Sequence, residues 1–320
     1  MKLRPLGKTG MQVSEIGFGA WAIGGGMWGK TNDPVSHDAL RRALDLGCNF
    51  VDTAAVYGDG HSEQLVGKIH RERGGKFYVA TKVPPKDFNW PPVKNCPVKK
   101  AFPAKWVREQ TENSLRHLGM DCVDLQQIHV WSSNWVHETE WVETLQRLRD
   151  EGKIRFIGVS VNDHAPAQAL ELARSGLADT IQVIHNVFDQ SPEDELFPLC
   201  LEKEVGILAR VPLDEGSLTG KFTYDTTFAK GDWRKDYFPA DVLRETVDRV
   251  EKLKPLIARE APSLAVGALK YCLSQPAVST VIPGIRSPEQ ALANCSASDG
   301  KLLSPQLLKD LKKHRWVRSG

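Results

Sequence analysis

Short apolar runs alternate with longer amphipathic segments along most of the chain. Runs of this kind are typical of buried parallel strands, which are apolar because both of their faces are covered. Eight of them recur in order: IGFGA, NFVDTA, FYVATK, CVDLQQIH, IRFIGVS, TIQVIHNV, GILARVPL and AVSTVIP. Each is followed by a segment with helical spacing of its apolar positions. Eight helices are predicted. The first begins at residue 33, and the others cover 63–69, 106–118, 139–149, 165–173, 194–203, 242–257 and 288–293.

Eight strand–helix units with short connections predict a closed (β/α)₈ barrel, the TIM-barrel fold, rather than an open sheet. An open nucleotide-binding sheet would need a glycine-rich turn after an early strand. The candidate for that turn, residues 24–26, lacks the G-x-G-x-x-G spacing and the acidic residue that should follow it. We therefore interpret residues 24–26 as part of a loop.

The first fifteen residues predict a short β-hairpin, because KLRPL and MQVSEI flank the turn residues GKTG. We expect one domain over residues 1–320, with the hairpin at about 1–15 and a C-terminal tail at about 298–320. The first helix should have Asp33 as its N-cap, Pro34 at its first position and Gly47 as its stop. Two loops, 84–103 and about 214–238, are long enough to suggest a functional role.

Composition narrows the class of protein. The chain has 320 residues, 41% of them hydrophobic, and a formal net charge of +2 with no basic run, which argues against nucleic-acid binding. No stretch approaches the roughly 20 apolar residues of a membrane span. The start, MKLRPLGKTG, lacks the apolar region of a signal peptide. The six cysteines form neither C-x-x-C pairs nor a metal-binding pattern, so we expect a reducing, cytoplasmic setting and no metal.

Four polar residues lie at or just after the carboxyl ends of predicted strands: Asp52, Tyr57, Lys82 and His129. Each has an ordinary explanation when taken alone. The aspartate could cap a helix, the lysine could be solvated, and the histidine could be a satisfied core residue. In a (β/α)₈ barrel, however, all these strand ends converge on one face, where catalytic groups collect. The ordered set on strands two, three and four therefore predicts a functional tetrad.

This tetrad could supply the proton in a carbonyl reduction. A free tyrosine has a pKa near 10, and a neighbouring cation lowers it. Lys82 is the candidate cation, and Asp52 would keep it charged and oriented. Tyr57 would then protonate the carbonyl oxygen, while His129 donates a hydrogen bond to that oxygen as negative charge develops.

The chain resembles the aldo-keto reductases from about residue 3 to residue 297. The resemblance rests on an ordered set of segments, namely IGFGAW, FVDTAAVYGDGHSEQLVG, the lysine of ATKVP, LQQIH, IRFIGVS, PLDEGSLTGKF and VIPGIRSPEQ. It is closest to the bacterial branch with a GIRSPEQ-type motif, which generally uses NADPH. The resemblance implies reversible, NAD(P)H-dependent reduction of aldehydes or ketones, with hydride supplied by the nicotinamide.

The resemblance also implies the nicotinamide contacts. Ser160, Asn162 and Gln182 should hydrogen-bond the carboxamide, although the common pattern has Ser and Asn adjacent and here Val161 intervenes. Asn162 could instead cap the next helix. Many family members have a stacking tyrosine where this chain has Arg210. A guanidinium can stack on a ring, reach a phosphate or simply form a salt bridge at the strand end, and these alternatives remain open.

The remaining cofactor contacts follow from three segments. The first strand contributes Gly19, Ala20 and Trp21. The loop 212–221 should bind the pyrophosphate through backbone N–H groups and a lysine, and its candidate residues are Pro212, Leu213, Ser217, Leu218, Gly220 and Lys221. In the last motif Gly284 permits close approach and Arg286 suits a 2′-phosphate, while Gln290 and Asn294 could reach the adenosine. Because of Arg286 we expect NADPH rather than NADH.

The chain has nine tryptophans, and several fall in segments that would rim the mouth of the barrel. We expect four of them to line a substrate pocket: Trp21, Trp28, Trp90 and Trp131. Rim aromatics suit a small-molecule carbonyl compound, such as an apolar or aromatic aldehyde or a sugar-like ring. The sequence has no extended apolar stripe that would mark a subunit interface, so it does not predict an oligomeric state.

Two other functions are compatible with these residues. A non-catalytic, NADPH-binding redox sensor or auxiliary subunit on the same fold would bind nucleotide tightly with little turnover. A barrel aldolase would use Lys82 to form a Schiff base with its substrate, without any nucleotide. The presence of Tyr57 and of the GIRSPEQ segment argues against the aldolase.

Overall fold

The amino terminus forms the predicted hairpin. The computed structural model describes residues 1–29 and 31–318; residue 30 and the end of the predicted tail, 319–320, lie outside the described residues. Strands β1 (Leu3–Pro5) and β2 (Gln12–Ser14) pair antiparallel, with Leu3 opposite Ser14. The hairpin covers the amino-terminal end of the barrel, because Leu6, Met11 and Val13 are buried against the barrel interior.

Eight parallel strands follow and curl into the predicted (β/α)₈ barrel. Neighbours in sequence are neighbours in the sheet throughout. Two parallel bridges, Ile16 to Val281 and Gly19 to Gly284, connect the first of these strands to the last and close the barrel. The strands are β3 (Phe18–Gly19), β4 (Phe50–Asp52), β5 (Tyr78–Val83), β6 (Val123–Ile128), β7 (Ile154–Ser160), β8 (Thr180–Ile184), β9 (Gly206–Arg210) and β10 (Val278–Val281).

Twelve α-helices lie in the part of the chain that the structure describes, and most of them surround the barrel. They are α1 (Asp33–Asp45), α2 (His61–Glu72), α3 (Val98–Ala101), α4 (Ala104–Leu118), α5 (Glu140–Asp150), α6 (Leu170–Ser175), α7 (Leu196–Glu202), α8 (Arg234–Tyr237), α9 (Ala240–Ile257), α10 (Leu264–Leu273), α11 (Pro288–Cys295) and α12 (Pro305–Lys312). Within the described ranges no helix is long and apolar enough to span a membrane.

The inward-facing positions change from apolar to polar along the barrel axis. Phe50, Ala80 and Leu125 form an apolar interior layer together with residues of the hairpin. Because side chains two residues apart lie on the same face of a strand, the next inward positions are Asp52, Lys82 and Gln127. This alternation places charged side chains inside the carboxyl-terminal end of an otherwise apolar barrel.

Two details differ from the sequence-based expectation. Helix α1 is capped by Asn32 rather than Asp33, since the Asn32 side chain accepts a hydrogen bond from the backbone N–H of Val35. Asp33 becomes the first helical residue, where its charge still favours the helix N-terminus. Four helices, α3, α8, α10 and α12, were not among the predicted helices.

Candidate active site

Three of the four tetrad residues are joined by hydrogen bonds. The Lys82 Nζ lies 2.5 Å from Asp52 Oδ2, 2.8 Å from the Thr53 carbonyl oxygen and 3.2 Å from the Tyr57 hydroxyl. The Lys82 side chain is fully buried, so all three of its donors are directed to protein acceptors. The predicted proximity of the phenol, the ammonium and the carboxylate is therefore present in the structure.

Two glutamines fix the second oxygen of Asp52. Gln182 donates to Asp52 Oδ1 at 2.8 Å, and Gln127 donates to the same oxygen at 3.2 Å. Both amides are buried. The carboxylate thus accepts hydrogen bonds on both oxygens and holds Lys82 in one position. Sequence reasoning missed Gln127, although it lies two residues before His129 and shares the inward face of β6.

His129 completes the set from the end of β6. Its ring centroid is 5.7 Å from that of Tyr57 in an edge-on arrangement. The Nδ1 atom is buried and has no hydrogen-bond partner within residues 1–29 and 31–318. Burial, with Lys82 and Arg210 nearby, lowers the pKa of His129 well below its ordinary value. The ring is therefore neutral at pH 7 and carries one N–H donor.

The protonation states suit a proton donor held beside a cation. Burial opposes the charge on Lys82, but the interactions with Asp52 and Tyr57 together outweigh it, and the pKa of Lys82 is raised. Burial raises the pKa of Tyr57, and Lys82 lowers it only in part. The expectation that Lys82 makes Tyr57 more acidic than a free phenol is thus wrong for this structure, because desolvation is the larger effect. At neutral pH the phenol keeps its proton.

An aromatic rim surrounds the tetrad. The Trp21 ring stacks near Tyr57, with centroids 5.8 Å apart, and it also contacts Trp28 and Trp233, each at 5.3 Å. On the other side, the edge of Trp90 meets His129 at 5.6 Å. The structure therefore places Trp21, Trp28 and Trp90 at the mouth, together with Trp233, which also falls in a segment expected to rim the mouth.

The position of Trp131 does not support its predicted role as a pocket wall. Its side chain is fully buried and packs edge-on against Trp135 and Trp141. Its indole N–H donates to the Gln168 carbonyl at 2.9 Å. Closeness to His129 in sequence misled the prediction, because Trp131 lies in the loop beyond Ile128, the last residue of β6, and that loop directs its ring into the core.

The three residues predicted to bind the carboxamide differ in their hydrogen bonds. Ser160 and Gln182 are adjacent in the sheet and face the interior, but the Gln182 NH₂ donates to Asp52. Both donors of Asn162 are used within the protein, by the Trp131 carbonyl at 2.6 Å and Gln168 Oε1 at 2.9 Å. In this structure Asn162 therefore ties the loop after β7 to the loop after β6.

Arg210 lies at the end of β9, beside the tetrad. Its Nη2 donates to Asp163 at 2.6 Å and to the Val161 carbonyl at 2.9 Å. The Nε atom is buried without a hydrogen-bond partner among the described residues. The salt-bridge alternative holds for this structure, and one buried donor of Arg210 remains at the mouth.

The loop after β9 is strained. Val211, Asp214 and Glu215 adopt positive φ angles of 54°, 45° and 53°, and Gly216 follows at 102°. The predicted pyrophosphate donors Leu218 and Gly220 already donate their N–H groups, to the Leu213 and Ser217 carbonyls respectively. Ser217 is buried, whereas Lys221 is exposed at the end of the loop and Pro212 and Leu213 lead into it.

The last motif forms an open cradle at the start of α11. A Cβ atom built on Gly284 would meet no atom within 4 Å, so the backbone is accessible from that side. Gln290 Oε1 accepts from the Arg286 backbone N–H at 2.8 Å, and Ser287 caps the helix. Asn294 is buried one turn further along. The predicted roles of Gln290 and Asn294 toward an adenosine stay predictions.

Gly19 and Ala20 serve the barrel wall itself. The Gly19 N–H donates to the Pro283 carbonyl at 2.9 Å, and the Ala20 N–H donates to the Asp52 carbonyl at 2.9 Å. The Ala20 carbonyl accepts from the Ser62 hydroxyl at 2.8 Å. These backbone groups close the barrel next to Asp52, and Trp21 is the residue of this segment that reaches the mouth.

Comparison with known proteins identifies the family. A sequence model of the aldo/keto reductase family matches residues 15–315. This chain belongs to the aldo/keto reductase family. Aldo-keto reductase YhdN of Bacillus subtilis (strain 168) is 34% identical, covering 97% of this chain and 92% of that protein. The NADH-specific methylglyoxal reductase of Escherichia coli (strain K12) is 32% identical and covers 93% of each.

A solved structure agrees with this assignment. The glycerol dehydrogenase AKR11B4 from Gluconobacter oxydans superposes with a TM-score of 0.80 at 31% identity, covering 98% of this chain and 94% of that one. The methylglyoxal reductase and the glycerol dehydrogenase are oxidoreductases, and this aldo-keto reductase is an oxidoreductase whose chemistry is carbonyl reduction. The family uses nicotinamide cofactors.

Proposed function

We propose that this protein is an NADPH-dependent reductase of aldehydes or ketones in which Tyr57 is the proton donor. The observation that carries the proposal is the buried Lys82, bonded at once to Asp52 and to the Tyr57 hydroxyl. An ammonium in that position stabilises the phenolate that forms when Tyr57 gives up its proton. The proton leaves a neutral acid and the cation stays in place, so the site needs no bulk water for this step.

The residues of the mouth fit a nicotinamide nucleotide. The open space above Gly284 and the N-terminus of α11 suit a phosphate, and Arg286 adds positive charge there. Arg210 offers a buried Nε that has no hydrogen-bond partner in the described part of the chain, and a planar guanidinium near Tyr57. When bound, the reduced nicotinamide would supply the hydride.

His129 has a separate role in the proposal. As a neutral imidazole it donates one hydrogen bond without competing with Tyr57 as an acid. Such a donor stabilises charge that builds on the carbonyl oxygen during reduction. The Schiff-base alternative is disfavoured, because Lys82 is fully buried, and a raised pKa keeps its amine charged and not nucleophilic.

Replacing Tyr57 with Phe tests the proton-donor role. We expect Tyr57→Phe to reduce kcat for a panel of aldehydes by at least the roughly 10²–10⁴-fold of a general acid. NADPH affinity, measured by fluorescence titration, should stay within about twofold, because uniform binding is untouched. The matched control is Tyr224→Phe, which removes an exposed hydroxyl bonded to Asp248. Full activity in Tyr57→Phe would remove the assignment.

Replacing Arg286 with Ala tests the choice of nucleotide. If Arg286 binds the 2′-phosphate, Arg286→Ala should weaken NADPH by roughly 1.5–3 kcal/mol, the worth of a charge-assisted hydrogen bond, and NADH far less. Titration of both nucleotides with the same protein gives the comparison. Arg108→Ala is the control, since Arg108 pairs with Glu151 on the surface of α4. Equal weakening of both nucleotides would remove the case that Arg286 recognises the 2′-phosphate.

A further inference from the structure

The last described residues return to the barrel mouth. The segment after α12 crosses from the Phe188 region to the loop after β9. The backbone N–H of Trp316 donates to the Phe188 carbonyl at 2.8 Å. The Trp316 indole packs edge-on against the Phe188 ring, with the ring centroids 5.5 Å apart. Two residues later, Arg318 is buried. A buried arginine so close to the chain end needs a partner that compensates its charge.

That partner is Asp214, the residue that begins the turn of the loop after β9. Arg318 Nη2 lies 2.5 Å from Asp214 Oδ2, and its Nε lies 3.2 Å from Oδ1. The third nitrogen, Nη1, donates to the Thr246 hydroxyl of α9 at 3.1 Å. The guanidinium therefore makes a two-point contact with the carboxylate and a separate bond to a helix. Such a fork fixes direction as well as distance.

Aromatic rings enclose the guanidinium. Trp316, Phe238 and Tyr237 lie 4.3, 4.9 and 5.1 Å from its central carbon. The Tyr237 hydroxyl also donates to Asp214 at 3.3 Å. Packing of this kind removes water from the Arg318–Asp214 pair and strengthens the attraction between the two charges.

Asp214 connects Arg318 to the loop after β9. Its Oδ2 accepts from the Ser217 hydroxyl at 2.5 Å, so the carboxylate spans the turn from 214 to 217. Val211, Asp214 and Glu215 are all non-glycine residues with positive φ, which is costly for L-amino acids and most of all for the β-branched valine. A backbone in this state persists only where surrounding contacts enforce it.

We infer that Arg318 is a positioning residue for the cofactor: through Asp214 and Ser217 it holds the loop over residues 211–220 in the shape that receives the nucleotide pyrophosphate. The inference rests on the proposed function, which places a nicotinamide nucleotide at this loop. Arg318 touches neither the tetrad nor the predicted 2′-phosphate site. It acts through the loop, so it should affect NADPH and NADH alike.

Three variants separate this role from general stability. Arg318→Ala removes the clamp. Arg318→Lys keeps the charge but cannot reproduce the two-point contact. The double variant Asp214→Asn/Arg318→Met removes both charges, so that neither is left buried and unpaired. Arg315→Ala is the control, because Arg315 lies in the same tail and pairs with Asp194, where both side chains are partly exposed.

Two measurements apply to each protein: NADPH and NADH Kd by fluorescence titration, and hydrogen exchange of amides 211–220 without nucleotide. If the freed loop spends about a tenth of its time in the competent shape, the apparent Kd rises about tenfold for both nucleotides. We expect the higher Kd and the faster exchange in all three Arg318 variants. Arg315→Ala should change neither the Kd nor the exchange. The KM for the carbonyl substrate should not change.

The outcomes are distinct. Wild-type Kd values and unchanged loop exchange in Arg318→Ala would overturn the inference, even if that variant unfolds more easily. A Kd that rises for NADPH alone would also overturn the inference, since the loop would not explain such selectivity. If the unaltered protein binds neither nucleotide, the proposed function fails and takes the cofactor part of the inference with it. The exchange comparison would still decide whether the tail holds the loop.

Discussion

At the scale of single residues, the candidate site depends on a balance between the burial of Tyr57 and Lys82 and the charges beside them. Residue type and position at strand ends were enough to predict Asp52, Tyr57, Lys82 and His129, because barrel topology brings strand ends together. The direction of the Tyr57 pKa shift was mistaken. It depends on how much water the folded protein removes from the phenol, and that burial is absent from any local pattern.

The same limit applies to side chains with two possible partners. Asn162 and Gln182 are amides at strand ends, and the family resemblance assigned both to a carboxamide. In the folded chain one ties two loops together and the other supports Asp52. Amides can donate and accept in several directions, so their partners are decided by tertiary structure and not by residue type.

Glu215 leads to a prediction about pH. It is buried in the loop after β9, and burial, with Asp214 and Asp163 nearby, raises its pKa to about 8. Arg210 and Arg234 oppose that shift only in part. Since an unfolded glutamate ionises near pH 4.3, the free energy of unfolding should fall as pH rises from about 4.3 to 8 and then level off.

Glu215→Gln should abolish this contribution. We expect the variant to be as stable as the parent near pH 4.5 and more stable by up to roughly 5 kcal/mol at pH 8.5, the free energy that corresponds to a pKa raised from about 4.3 to about 8. Urea unfolding at both pH values measures the difference. Glu109→Gln, on the exposed face of α4, should show no such trend. A stability difference that is constant with pH would mean that Glu215 finds a partner when ionised.

At the scale of secondary-structure elements, the strands were predictable and one buried helix was not. Each barrel strand is a short apolar run, and that signal survives because both faces of the strand are covered. Helix α10, with sequence LAVGALKYCL, is buried at nine of its ten positions and shows no polar face. A helix that is apolar on all sides lacks the periodicity on which such predictions depend.

The packing of α2 against α4 gives a prediction at this scale. A Cβ atom on Gly67 of α2 would lie 2.1 Å from the Leu118 carbonyl oxygen and 2.6 Å from its Cα. Both are backbone atoms at the end of α4 and cannot rotate away. Gly67→Ala should therefore destabilise the protein by roughly 1–3 kcal/mol through overpacking. This sign is opposite to the gain of about 1 kcal/mol that alanine brings to an exposed helix.

Urea unfolding measures this effect. Lys68→Ala is the control because Lys68 is the next residue of the same helix and is exposed. It should change the free energy of unfolding by no more than about 0.5 kcal/mol. If Gly67→Ala is as stable as the parent protein, the two helices are further apart than the structure indicates.

At the scale of the whole molecule, the two ends of the barrel have different tasks. The hairpin closes the amino-terminal end with apolar side chains, and the carboxyl-terminal end carries the tetrad. Loops after β3, β5 and β9 build the rim over it. The Trp233 N–H donates to the Met27 carbonyl at 3.0 Å, which joins two of these loops directly. The third loop contributes Trp90 from the opposite side.

This division predicts which substrates the rim selects. Phe88 and Trp90 are 59% and 45% exposed. Trp90 lies next to His129 and Phe88 lies next to Trp90, so the two rings form an apolar platform outside the reacting groups. Trp90→Ala should raise KM for aromatic aldehydes by roughly tenfold, consistent with the 1–3 kcal/mol that apolar pocket contacts contribute to discrimination. A short aliphatic aldehyde does not reach the platform, and its kcat/KM should change by less than about twofold. Steady-state kinetics with both aldehydes at saturating nucleotide make the comparison. An equal loss for both would show that Trp90 supports His129 itself, and the rim would then have no part in choosing the substrate.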